Sequence, residues 1–379
     1  MKIRTIASHY ALLPDGVLAN PLVVAEGSRI VSIGQYDPAT VDRIEGVEFY
    51  AGILAPAMIN AHCHLELSYL RGAIEPDCGY AGFAAGMARV RNSFADEERH
   101  RAAVAADREM YDTGTVAAGD IANDRSAFAA KAAGRVRYRT FAEVFGLRTP
   151  SIEAARQLLE YPDTTLTPHS TYSLNDSIFR PLCSEGDATL SIHFMESPAE
   201  QQLYDGGGSL REWYDTQGFE CDFLHYGSPA ERIAACVPSG RSVMLVHCCC
   251  VTQRDIDIIL SHFTAPVYWV LCPRSNDYIS GLRPDVGLLR RNGLKICIGT
   301  DSLASNRSLE MLEELKCFAE VPLTESLRWA TQNGAEALGL SAEGYGSLSE
   351  GSECGLIAIS GLDYSSMTLT TDSTLIRIL

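Results

Sequence analysis

The sequence predicts an α/β chain, a (β/α)8 TIM barrel carrying a small β-sandwich built from both chain ends. Three observations predict it. Between residues 56 and 344, short apolar runs alternate with amphipathic or alanine-rich segments, and eight such pairs in that length match the size of a barrel. Residues 1–55 and 345–379 have a different texture, short extended pieces broken by turns with no helical period. Polar side chains able to do chemistry gather where the apolar runs end, which is the working face of a barrel.

Residues 1–55 turn at Pro14-Asp15-Gly16, Glu26-Gly27-Ser28 and Ile33-Gly34-Gln35. The tail repeats this texture at 347–348, 355–359 and 373–379, so 1–55 plus 345–379 are expected to form one sandwich domain; the ends of a domain often lie close together. The catalytic barrel is expected over 56–344. Its eight strands are the run through His62, then 114–120, 136–145, 164–169, 189–196, 242–247, 267–272 and 295–301, with helices such as 83–111, 256–262 and 309–318 between them. An open doubly wound sheet is the alternative. It lacks support, because no Gly-x-Gly-x-x-Gly follows a first strand and no Gly-Lys-Ser/Thr loop occurs. Gly206-Gly207-Gly208 reads as a flexible loop.

A chain of 379 residues, 46% hydrophobic, can bury a large core. Its net charge of -17 argues against a nucleic-acid or anionic membrane surface, since phosphate binding needs clustered Lys and Arg. The first ten residues hold two positive charges but no sustained apolar run, and no later run is long enough to span a bilayer. The 12 cysteines fall singly in apolar strands apart from Cys248-Cys249-Cys250, without a Cys-x-x-Cys pair, and read as reduced core thiols. A cytoplasmic enzyme acting on a small molecule is expected.

Successive side chains in a strand point to opposite faces, so His62 and His64 share one face, about 7 Å apart along the chain. Most of the nine histidines lie at strand ends: His62 and His64 on the first, His169 on the fourth, His193 on the fifth, His247 on the sixth. The seventh ends in Cys272-Pro273-Arg274-Ser275-Asn276 and the eighth in Gly299-Thr300-Asp301-Ser302. Each alone reads as a hydrogen-bonded core residue. Together, imidazoles and a carboxylate are the ligands of a catalytic Zn2+ or Fe2+ with one position left open, which makes His62, His64, His193 and Asp301 the candidate ligands, with His247 beside them.

His62-x-His64 on strand one, single histidines closing strands five and six, and Gly299-Thr300-Asp301 closing strand eight resemble the amidohydrolase superfamily over essentially the whole chain. Binuclear members carry a lysine on strand four; this chain has Thr167-Pro168-His169-Ser170, which implies one divalent metal ion per chain. The segment His193-x-x-Glu196 resembles the deaminase branch. Closer still, His64-Leu65-Glu66-Leu67-Ser68, His193-Phe194-Met195-Glu196-Ser197, Cys272 to Asn276 and Gly299 to Asn306 look like aminofutalosine deaminases and their adenosine and S-adenosylhomocysteine deaminase relatives. Ser302, next to Asp301 among the expected substrate contacts, departs from the glycine of aminofutalosine deaminases.

The resemblance implies hydrolytic deamination of an aminopurine nucleoside or a related amino-heterocycle, and a homo-oligomer. Glu196 would protonate the ring nitrogen, Asp301 would carry a proton from water to the leaving amine, and His247 would direct the attack. His169 is expected to touch a substrate hydroxyl or to act as structural support. Arg274 with Asn276 could bind a substrate carboxylate or pin a loop, and Glu66 could contact substrate or orient a ligand. The rival readings are cleavage of a cyclic or linear amide by the same mononuclear site, and a non-catalytic metal-binding scaffold; release of ammonia separates the first from deamination.

Overall fold

The computed structural model describes residues 2–379. The chain begins with β1 (Ile3–Leu13), β2 (Gly16–Ala19), β3 (Pro21–Glu26), β4 (Arg29–Gln35) and β5 (Val47–Pro56). Eight further strands alternate with helices: β6 (Met58–Cys63), β7 (Thr115–Ala122), β8 (Arg137–Val144), β9 (Thr164–Pro168), β10 (Leu190–Phe194), β11 (Val243–His247), β12 (Val267–Leu271) and β13 (Lys295–Ile298). β14 (Leu356–Ser360) and β15 (Thr374–Arg377) close the chain. No helix among the described residues is long and apolar enough to cross a membrane.

Strands from both ends join one ladder, β15-β14-β5-β1-β3-β4, with β2 added on β1. Its buried face draws Ile6 and Val23 from the start of the chain, Leu54 from β5, and Leu356 and Ile378 from the end, a core of its own in a small β-sandwich. Gly52 makes that joint possible. At its φ of +120° a side chain would place Cβ 1.9 Å from the carbonyl oxygen of Ile359, so only glycine lets β14 lie against β5. Ile33-Gly34-Gln35 is not a turn: Gly34 pairs with Leu22 inside β4. Ser347-Leu348 lies outside the strands, although the Leu348 side chain is buried in the same core.

β5 passes through Ala57 directly into β6, so the first barrel strand is tethered to the sandwich. β6 to β9 form one parallel sheet and β10 to β13 another. Two narrow seams close them into a barrel. At one, Cys63 bridges Asp301, and the backbone N–H groups of Thr300 and Asp301 both donate to the carbonyl oxygen of His62 at 3.0 Å. At the other, Ser170 bridges His193, whose N–H donates to the carbonyl oxygen of His169 at 2.9 Å. The strands are buried on both faces, as continuous apolar runs such as Val267-Tyr268-Trp269-Val270-Leu271 require.

The helix expected over 83–111 is two, Gly79–Val90 and Asp96–Asp112. The Glu98 carboxylate accepts the Ala95 N–H at 3.0 Å and so starts the second one afresh. The first is left free to lean over the barrel mouth, where Tyr80, Phe83, Ala84 and Met87 line the central cavity.

Candidate active site

The two seams lie where the histidines are. Gly299 allows the first to close, since a Cβ there would lie 2.8 Å from both Cβ and the carbonyl oxygen of His62. At the last residue of β11, His247, and just past the ends of β10 and β13, at Met195 and Asp301, the backbone turns through the left-handed region, with φ of 76°, 51° and 57°. Non-glycine residues rarely adopt this conformation, and it persists where packing on both sides enforces it.

The ring of His62 is 5.0 Å, centroid to centroid, from those of both His64 and His193, and 5.9 Å from that of His247. Asp301 Oδ1 lies 3.4 Å from His64 Nε2 and 3.9 Å from His62 Nε2. His62, His64 and Asp301 each present one ligand atom within 4.8 Å of the others, as do His62, His193 and His247. Both ring nitrogens of His62 and Nδ1 of His64 are buried without a hydrogen-bond partner. Buried polar atoms are seldom left so, and lone pairs aimed at one point beside a carboxylate are the donor set of a divalent cation. The residues fit a metal ion.

His193 Nδ1 lies 2.9 Å from the His169 carbonyl oxygen, which can only accept, so Nε2 keeps the free lone pair. Asp301 Oδ2 accepts from Ser275 at 2.6 Å and Ser305 at 3.0 Å, which turns Oδ1 toward the histidines. Burial opposes its charge, but the rings of His64 and His247 and the Ser275 hydroxyl hold the carboxyl below its usual range. Burial also keeps the imidazoles neutral, lowering His64 to about 3 against the pull of Asp301, and His169 to about 4.

Glu196 faces the cluster from its rim, with Oε1 3.8 Å from His247 Nε2. Burial raises its carboxyl to about 7; His193 pulls the other way and Asp301 adds to the rise. The two acids are therefore pushed apart, one toward holding a proton at neutral pH and the other toward losing it.

A cavity of about 250 Å3 opens onto this floor, lined by His64, His169, His193, Glu196, His247, Asp301 and Ser302 among others. Glu66, Arg274 and Asn276 do not line it, and here the structure departs from the sequence reading. Glu66 is sealed beneath, accepting the N–H groups of Asn123 and Asp124 at 2.9 and 3.0 Å, with Arg91 3.5 Å away. Arg274 donates to Ser308 at 2.8 Å, so of its two readings the structure supports the pinned loop. Asn276 is 3.1 Å from His247 Nδ1 and fixes that ring's orientation.

Sequence reasoning missed Glu143, Asn123 and Arg91, which line the cavity. Glu143 Oε1 lies 3.5 Å from His193 Nδ1, and Asn123 donates to its other oxygen at 3.1 Å. Its signal was present, a carboxylate at the C-terminal end of a barrel strand. Arg91 and Asn123 sit in irregular chain, where no period points to them.

The sequence profile of the amidohydrolase family matches residues 53–376. The chain belongs to the amidohydrolase family. Among amidohydrolase relatives it is 26% identical over 382 residues to the 5-methylthioadenosine/S-adenosylhomocysteine deaminase of Nitratidesulfovibrio vulgaris, covering 92% of this chain and 79% of that one. It is 26% identical to the adenosine deaminase of Helicobacter pylori over 342 residues, 83% of this chain and 81% of that one. The fold superposes on Helicobacter pylori aminofutalosine deaminase in complex with methylthio-coformycin with a TM-score of 0.79 at 23% identity, covering 99% of this chain and 100% of that one. With the zinc-bound adenosine deaminase of Xanthomonas campestris the TM-score is 0.72 at 21% identity, covering 96% and 85%.

Proposed function

We propose that this amidohydrolase is a hydrolytic deaminase of an aminopurine nucleoside or a related amino-heterocycle, holding one divalent metal ion, zinc or iron, on His62, His64, His193 and Asp301. One observation carries the reading. Glu196 and Asp301 face the same histidine cluster in one cavity with their proton affinities driven in opposite directions.

When bound, the metal lowers the pKa of water from 15.7 toward about 7 and makes it a nucleophile at neutral pH. The chain's own groups do the rest. As the carbon bearing the amine is attacked, electrons move onto the neighbouring ring nitrogen. Glu196, which burial keeps protonated up to about 7, delivers a proton there. Asp301, held ionised, takes a proton from the attacking water and passes it to the departing amine; ammonia leaves, and the proton remaining on the new hydroxyl returns to Glu196 as the carbonyl forms. His247, oriented by Asn276, hydrogen-bonds the incoming water and sets its line of approach. His169 stacks on His193 with ring centroids 4.5 Å apart and lines the cavity, where it can meet a substrate hydroxyl while its carbonyl orients His193.

Names of relatives point the same way: the curated proteins cited above are adenosine-type deaminases, at identities of 26%. Ammonia release from adenosine, 5-methylthioadenosine, S-adenosylhomocysteine and aminofutalosine tests the reading. Glu196→Gln is expected to keep its metal and lose about a thousandfold in turnover. Unchanged turnover in that variant, or hydrolysis of an amide without ammonia release, overturns it.

A further inference from the structure

Two of the four ligand candidates are aimed by hydrogen bonds: His193 by the His169 carbonyl oxygen, Asp301 by Ser275 and Ser305. His62 and His64 have no such partner on Nδ1 among the described residues, so the backbone has to aim their rings. That backbone is irregular. Asn60 lies beside Ala118 and Cys63 beside Asp120, so β6 advances three residues while β7 advances two, a bulge of one residue. Gly119 makes room for it, since a Cβ there would lie 2.5 Å from the carbonyl oxygen of Ala61. Past the bulge the chain leaves the ladder, and the N–H of Leu65 needs another acceptor. The Asp120 carboxylate supplies it, with Oδ1 2.7 Å from that nitrogen and 3.6 Å from Cys63 Sγ. A carboxylate with no exposed surface needs a partner of its own. Lys131, on the helix Phe128–Ala133, pairs with it; its side chain is 6% exposed, donates to the Thr140 hydroxyl at 3.0 Å and places Nζ 4.3 Å from the Phe128 ring centroid.

We infer that Asp120 and Lys131 are a positioning pair for the metal ligands: the Asp120 carboxylate fixes the peptide joining His64 to Leu65, and through it the direction of the His64 ring, before any metal binds. Lys131 balances the charge of that carboxylate and holds its direction. This rests on the reading of His62 and His64 as ligands. Neither Asp120 nor Lys131 lines the central cavity, so neither meets substrate. Turning the His64–Leu65 peptide swings the imidazole, and a zinc–nitrogen distance of about 2.0–2.1 Å leaves it little freedom. An ion pair that served the fold alone could be exchanged for apolar side chains of similar volume at little cost. A pair that aims a ligand cannot, because the exchange strips the Leu65 N–H of its acceptor and frees the peptide next to His64.

The test compares wild type with two double variants: Asp120→Leu/Lys131→Met, apolar and without an acceptor for Leu65, and Asp120→Asn/Lys131→Gln, uncharged but with the acceptor kept. Chelator competition reads zinc affinity, the visible absorption of the cobalt-loaded protein reads ligand geometry, and calorimetry reads the Tm of the metal-free form. The apolar variant is expected to melt close to wild type, to bind zinc about 10–100-fold more weakly and to shift the cobalt bands. The Asn/Gln variant is expected to return zinc affinity to within about threefold of wild type and to restore the bands. Wild-type zinc affinity and cobalt bands in the apolar variant, or equal losses in both variants, overturn the positioning role. Should the apolar variant fail to fold, hydrogen exchange of the metal-free wild type decides: a Leu65 amide as protected as in the zinc-loaded protein is expected, and free exchange there before zinc is added overturns the proposal. A wild type that binds neither zinc nor cobalt overturns the ligand reading itself, and the proposal with it.

Discussion

Two buried polar clusters flank the loop that follows β9, and they are built on opposite rules. Arg232 has no exposed surface, yet its guanidinium is answered on every side: it donates to the carbonyl oxygens of Thr171 at 2.5 Å and Leu174 at 2.8 Å, pairs with Asp176 at 2.7 Å, and lies 4.4 and 4.0 Å from the ring centroids of Phe179 and Phe223. His62 is as deeply buried and has a partner on neither ring nitrogen. A buried polar group without a partner lowers stability, and one with every partner supports the fold. The contrast separates a group that holds the structure from a group kept ready for a ligand.

The largest effect that could break this contrast is on activity. His62→Ala is expected to lower ammonia release by at least about a thousandfold, with no loss of thermal stability in the metal-free protein, because the ring it removes makes no hydrogen bond within the chain. Calorimetry of the stripped variant checks the second half. Arg232→Met is the mirror image. Removing one partner of a buried pair costs about 3–5 kcal/mol, so its urea midpoint is expected to drop while the folded fraction keeps its bound metal. If His62→Ala unfolded the chain and Arg232→Met did not, the comparison would be reversed.

A smaller effect sharpens it through pH. In the metal-free protein burial lowers His64 to about 3 and His169 to about 4, below the ordinary 6.5. Below pH 6.5 the unfolded chain takes up protons that the folded one refuses, so stability falls as pH falls. Burial raises Glu66 and Glu200 to about 8 from 4.5. Above pH 4.5 the unfolded chain releases protons that the folded one keeps, so from these groups stability falls as pH rises toward 8. The metal-free protein is therefore expected to melt highest between about pH 4.5 and 6.5, in a scan of Tm against pH. Bound metal competes with protons for the imidazoles and moves the acid flank to lower pH.

The smallest effect concerns Asn276, which touches His247 and lies outside the cavity lining. Asn276→Ala is expected to lower kcat about tenfold with metal content and KM close to wild type, since a residue that aims another loses alignment and leaves binding intact. Loss of metal in that variant would instead place His247 among the ligands.

Much of this was legible in the residues. Alternation in a strand put His62 and His64 on one face, and continuous apolar runs gave away the eight barrel strands because both faces of each are buried. The break after Arg91 was hidden, since the helical period resumes within a few residues and only the Glu98 cap marks the new start. For Arg274 and Asn276 the sequence left the contact open: the strand end fixes which loop they occupy, but the turn of the helix Pro273–Ser280 decides which side chains reach the cavity. Glu143 was visible as a strand-end carboxylate, whereas the apolar cavity between the helices Gly79–Val90 and Gly208–Gln217 was not, because it assembles from two helices and a loop distant in sequence. Periodicity reports the scaffold well; the cavity walls depend on how irregular segments pack.

The measurement that reaches furthest is a zinc titration of the chelator-stripped protein, following bound metal and ammonia release together. The expected result is activity that rises with occupancy and levels at one ion per chain, with Glu196→Gln binding the same single ion and releasing ammonia about a thousandfold more slowly. Full turnover without metal, or a rise that levels only at two ions per chain, would contradict the single-ion site on His62, His64, His193 and Asp301.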